Sequence, residues 1–408
     1  MPNYSPERVR FNFRLDLAAA LLGATFFAGA FMPVLVRRMG GSEIDVALVM
    51  ASGPIGHMLA PLPAYLYHRF NAAKVLALVG LVAKLVFVAA LFFATTPQLL
   101  ALAWVAFNVV LLSAISANTT LIRGMYPDEE RARAMARVRM SANVVAMGSV
   151  IAGGALLELT DSPTKILAVS ALVSLAAPLF LLFLRYEDHH QRAPMLSPLR
   201  LGGVALQDTA FRSYLLATTF IGFGNAMGAT VYPILLVDRF NAPTILVGAM
   251  AAVQCAALVA GFHFWGGRID RGSTVALVGR NALLMMLLPI VYLVAPSAPF
   301  LLLGSVIAGW TMACADLALH TSMIELAGPR AGNYMAAQSF VLGVRATMAP
   351  FVASALLITV GPAVALVVVV VCVATGALLV GRVRPAARTE RLRVPGETFA
   401  ETAEAFAD

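Results

Sequence analysis

The sequence predicts an all-α membrane protein of 12 transmembrane helices, built as two pseudo-symmetric six-helix bundles. Three observations lead there. Of the 408 residues, 60% are apolar and only 12% charged. Soluble domains carry roughly 25% charged residues, so this chain cannot cover a water-facing surface of normal size. Apolar runs of about 20 residues, each long enough to cross a ~30 Å hydrocarbon core as a helix, recur along nearly the whole length. The second half also repeats, in order, marks found in the first.

The spans are expected at 16–36, 45–66, 74–95, 97–122, 138–159, 164–185, 211–236, 243–264, 274–295, 298–326, 333–359 and 362–383. The first follows Arg8, Arg10 and Arg14, as a signal peptide would, but it is long and further spans follow, so it reads as an uncleaved helix. Gly40-Gly41-Ser42 separates it from the second. Thr96-Pro97 opens the fourth, Ser162-Pro163 the sixth, Ala242-Pro243 the eighth and Gly361-Pro362 the twelfth, while Pro296-Ser297 precedes the tenth. Before the fifth lies a basic stretch, Asp128 to Arg133 with Arg137 and Arg139. It reads as a loop for topology and gate control, with anionic-lipid contact as the alternative.

An even number of spans puts both termini on one side. The loops facing the other side hold only Arg37, Arg38, Lys165 and Arg239 among the basic residues. The positive-inside rule then places both termini in the cytoplasm, in a cytoplasmic (inner) membrane crossed many times. Residues 1–185 form the first half and 211–384 the second. A flexible cytoplasmic linker, 186–210, carries His189, His190 and Arg192 between them, and 385–408 reads as a disordered tail.

The repeat is specific. Gly23-x5-Gly29-x3-Pro33 in the first span returns as Gly222-x5-Gly228-x4-Pro233 in the seventh. Arg38 or Arg239 follows, then a short polar turn, then a helix reaching Met50-Ala51 or Met250-Ala251. Parallel six-helix halves with a substrate site between them near mid-bilayer are a recognised transporter plan.

Several function classes drop out. The net charge of +8 sits in short gaps, with no soluble domain to hold nucleic acid. Cys255, Cys314 and Cys372 all lie inside apolar runs, without metal or disulfide spacing. No phosphate-cradling G-x-x-x-x-G-K-[ST] loop, H-E-x-x-H or G-x-S-x-G motif is found, so neither ATP-driven transport nor an enzyme is expected, and no cofactor.

Over about residues 12–384 the chain resembles the major facilitator superfamily. The family's mark is a loop between the second and third helices, G-x-L-A-D-R-x-G-R-[RK], echoed between the eighth and ninth. Here the first copy reads Ala64-Tyr65-Leu66-Tyr67-His68-Arg69, with His68 where the Asp belongs. The second reads Gly266-Gly267-Arg268-Ile269-Asp270-Arg271-Gly272. By resemblance, Arg69, Asp270 and Arg271 would hold an inner gate closed. Marks of the drug/proton antiporter branch are missing: the fourth helix offers Asn108 and Asn118 instead of an Arg, and Ser149-Val150 replaces Gly-Pro in the fifth. The family places cavity residues on helices one, four, seven and ten, which implies Asn108, Asn225, Asp316, Phe27 and Tyr232.

Ionisable groups at mid-bilayer are costly, so each is a functional candidate. Asp316 lies about 16 Å from the cytoplasmic end of the tenth span and Arg345 about 18 Å into the eleventh at 1.5 Å per residue. The antiparallel helices put them at similar depth, as a coupling site in which Asp316 exchanges a proton or as a structural ion pair. His320 shares the face of Asp316, four residues on, either in that site or in packing. Lys84 either contacts substrate or snorkels to the interface. Gln254, Asn281 and Gln338 line the cavity or tie helices together. The function expected is proton-coupled secondary transport of a small molecule by a monomer in the lipid bilayer, exporting lipophilic or cationic compounds. The alternatives are an organic-anion transporter, a lipid-handling protein or a non-transporting receptor.

Overall fold

The computed structural model describes residues 5–60, 70–185, 208–269, 273–327 and 331–383, and every regular element among them is helical. Ten helical stretches are long and apolar enough to cross a membrane, and Pro97–Leu112 is a shorter apolar helix. Glu43–Leu59 supplies the second span of the series.

The first span is Pro6–Gly23 followed by Ala28–Arg38. The third is Ala72–Phe93, the fourth Pro97–Leu112 with Ile115–Met125, the fifth Asp128–Glu158, and the sixth Pro163–Val173 with Ala177–Leu181. In the second half, Thr209–Asp238 is the seventh and Thr244–Ile269 the eighth. The ninth is Thr274–Met285 with Leu287–Val294, the tenth Leu301–Ala327, the eleventh Ala331–Val360 and the twelfth Pro362–Gly381. Below, the near end is the side of residues 5 and 383, and the far end is the opposite side.

The starts are chemically set. Ser5 accepts from the Arg8 amide with Pro6 behind it, Thr96 accepts from Leu99 N before Pro97, and Ser42 and Asp45 cap each other reciprocally. Asp208 accepts from Ala210 N and Phe211 N, so the seventh helix starts inside the stretch expected as linker. The rest of that linker, the tail and both inner gate loops (Arg69; Asp270 and Arg271) lie outside the described residues.

Two expectations need correction. The first span breaks at 24–27, where Thr25 Oγ1 donates back to Leu22 O; Pro33 sits inside the following helix. The basic stretch after Pro127 is not a loop, because the fifth helix begins at Asp128 and carries Arg131 to Arg139 on it. Hydropathy marks where a bilayer begins, not where a helix does.

Packing uses small residues and rings. Backbone of the eighth span crosses the fifth where a Cβ on Gly154 would come 2.7 Å from Thr244 O, an approach only small residues permit. Phe26, Phe87, Trp104 and Phe107 form one aromatic cluster joining the first, third and fourth spans, with centroids 5.1–6.2 Å apart. Outward-facing apolar side chains remain uncovered, Phe92 and Phe93 at 74% and 75% exposure, as a lipid-facing surface requires. The repeat has a backbone counterpart: the turn after the first span has Gly40 at φ +84°, and the turn after the seventh has Asn241 at φ +41°, both left-handed closures of a helix end.

Candidate functional site

At the far end the two halves are tied by charge and hydrogen bonds. The Arg37 guanidinium meets Asp238 across the halves, Nε to Oδ1 at 2.9 Å and Nη2 to Oδ2 at 2.5 Å, and its Nη2 also meets Glu43 Oε1 at 3.0 Å. This fork-on-fork geometry fixes direction as well as charge. Arg38 Nη2 donates to Ala242 O. Glu158 accepts from Thr244 N at 2.6 Å and from its hydroxyl at 2.5 Å. Ser354 Oγ donates to Glu43 O at 2.5 Å. Farther down, the contact between halves continues at mid-depth, where Thr347 Oγ1 lies 3.3 Å from Met58 Sδ. None of Arg37, Asp238, Glu158 or Thr244 was singled out from sequence. The available sign was that Arg37-Arg38 and Asp238-Arg239 occupy equivalent places in the repeat.

At mid-depth, Arg345 is turned toward the seventh span. Its Nη1 donates to Thr218 O, and its guanidinium lies against Gly222, where any Cβ would fall on it. Sequence did not give this direction: Arg345 was expected beside Asp316, and its guanidinium is seated on the Thr218 carbonyl instead. The direction follows from the helix: Val341, one turn away, packs against the cluster of Phe211 and Tyr214, and Arg345 lies on that same face. Among the described residues no carboxylate pairs with Arg345. Asp316 itself is exposed on the tenth span. Met312, one turn earlier, is 46% exposed and lies 4.0 Å from Gln254 Nε2 of the eighth. The side chain of His320 lies outside the described residues.

Asn225 is exposed on the seventh span, on the same face as Gly222. Tyr232 stacks on Tyr292 at 4.3 Å. Phe27 is buried and its ring fills the space above Gly153 of the fifth span. Asn108 Nδ2 donates to Trp104 O of its own helix at 2.9 Å. Lys84 is 7% exposed, and its Nζ donates to Ser174 O of the sixth span at 2.5 Å. It is not brought together with the other candidates, because the third and sixth spans pack against each other there. Asn281 Nδ2 ties the ninth span to Thr311 O at 3.0 Å. Gln338 is 3% exposed, and neither its Nε2 nor its Oε1 has a partner.

Comparison with known proteins gives a consistent picture. The model of the Major Facilitator Superfamily matches residues 17–287. No curated protein matches the sequence. Among solved structures, a mutant of the nucleoside transporter NupG aligns with TM-score 0.69 at 12% identity, covering 91% of this chain and 98% of that one. A bacterial homolog of the human lysosomal transporter Spinster, inward-facing and occupied, aligns with TM-score 0.68 at 15% identity, covering 96% and 100%. The same homolog, inward-facing and unoccupied, gives 0.63 at 14% identity, covering 93% and 95%. At these identities the likeness is one of fold.

Proposed function

The chain belongs to the major facilitator superfamily of small-molecule transporters, and from that premise we propose that it moves an organic anion by proton-coupled alternating access. The observation that carries the reading is Arg345, a cation at mid-membrane depth whose only partner among the described residues is the Thr218 carbonyl. An uncompensated charge there is costly, and an arriving anion compensates it. Asp316, exposed at similar depth on the tenth span, is the proposed proton carrier. The halves would rock about the cavity between them, with the far-end contacts released as the near end closes. The bias of basic residues supports a near end in the cytoplasm, and we read the protein as a monomer in the cytoplasmic membrane.

A second reading, export of lipophilic or cationic compounds, is supported by Asp316 and Met312 sharing one exposed face.

Purified protein is reconstituted into vesicles loaded with a pH dye and challenged with organic anions, then with lipophilic cations. Anion-driven proton flux in the wild type that vanishes in Asp316→Asn is the expected result. Flux driven by cations alone would select the second reading. Flux unchanged in Asp316→Asn would remove the carboxylate from coupling, and no solute-driven flux from folded protein would overturn the transporter reading.

A further inference from the structure

We propose that Arg345 and Gln338 form a two-point seat that selects elongated carboxylates bearing a neutral hydrogen-bonding group. The proposal rests on the anion reading above and deepens it. Gln338 is buried at 3% exposure with both amide atoms unpartnered. A primary amide offers two donors and an acceptor, and leaving all of them unmet inside a protein is unfavourable and rare. Tyr214 and Thr218 of the seventh span and Ser322 of the tenth are already engaged. Tyr214 Oη and Ser322 Oγ meet at 2.6 Å, and Thr218 Oγ1 donates within its own helix to Tyr214 O and Leu215 O at 3.0 and 3.1 Å. Hydrogen-bonding capacity in reserve is therefore concentrated in the Gln338 amide and in Arg345.

Arg345 has five N–H donors, of which the Thr218 carbonyl engages Nη1. The guanidinium lies against Gly222, and the edge that the Thr218 carbonyl does not engage is the one we assign to a carboxylate, held by two parallel hydrogen bonds. Gln338 stands seven residues before Arg345, two turns along one face and about 10 Å lower at 1.5 Å per residue. Val341 between them packs toward the seventh span, so both polar groups are carried on the face that meets that span. A ligand bridging them has a carboxylate at one end and an amide or hydroxyl roughly two helical turns away.

The test uses purified full-length protein titrated by calorimetry with cinnamate, 4-acetamidocinnamate and tetraphenylphosphonium. Wild type is expected to bind 4-acetamidocinnamate more tightly than cinnamate. Arg345→Gln should weaken both by roughly tenfold or more, as loss of a charged hydrogen-bonding partner does, with Arg345→Lys in between. Gln338→Leu should abolish the difference between the two carboxylates. Thermal melting of each variant confirms that it is folded. Cinnamate affinity unchanged in Arg345→Gln, or a preference for the acetamide that survives Gln338→Leu, would overturn the proposal. So would a wild type that binds neither carboxylate. If that same protein still carries tetraphenylphosphonium in vesicles, the seat fails and the transporter reading stands.

Discussion

Arg345 keeps its direction because Gly222 has no side chain to push it away. Gly222→Ala should therefore act through the guanidinium and not through the fold. We expect anion affinity to fall by about tenfold, near the effect of losing one charged hydrogen bond, with the melting temperature little changed; calorimetry and thermal melting together check this. Lys84 makes the opposite case. Its ammonium is buried against one carbonyl, Ser174 O, and an apolar side chain of similar length removes a desolvated charge together with its need for a partner. Lys84→Met should leave transport unchanged and hold or raise the melting temperature. Both residues were conspicuous in the sequence as charges within apolar runs, and their places along their helices followed from counting. Their directions did not follow, because direction depends on which neighbour packs beside each face. Gln338 was one polar residue among several until its missing partners distinguished it.

At the scale of elements, turn chemistry was legible and helix length was not. Thr96-Pro97, Ser162-Pro163 and Gly361-Pro362 all open helices where expected, since proline is favoured in the first turn, where its missing N–H costs nothing. The early start of the fifth helix escaped notice because Arg131 to Arg139 are too polar for a bilayer yet good helix formers. The fifth and eighth spans meet through glycines: a Cβ on Gly248 would run into Val150 O. Gly248→Val should push these two backbones apart at a cost of about 1–3 kcal/mol, the usual penalty for overfilling a packed contact. A lowered melting temperature of the ligand-free protein reads it out, and Gly266→Val, where nothing lies within 4 Å, is the control.

At the scale of the whole molecule, the two halves were legible from the repeat, and the contacts between them were not. Sequence pointed to inner loops for gating, whereas the described contacts between halves gather at the far end around Arg37, Asp238, Glu158 and Thr244. The Arg37 and Asp238 side chains are 19% and 40% exposed, so water screens part of their attraction. A double-mutant cycle of Arg37→Gln and Asp238→Asn should give a coupling of about 0.5–1 kcal/mol. The readout is the share of long distances between spin labels on Asp161 and Ser297, which should rise in either single variant and rise little further in the double. High salt should move the wild type the same way.

Arg37 and Asp238 also mark a place where the two copies of the repeat differ. They occupy matching places in the two copies of the repeat, each just before the arginine that ends its span, and they face each other across the relation between the copies. Two identical subunits assembled in this way would have set like against like at that spot, since a two-fold arrangement brings the same patch to itself. Opposite signs at that spot require the two copies to differ in sequence, as the halves of one chain are free to do. The clasp at the far end is thus a bond that symmetry alone could not supply.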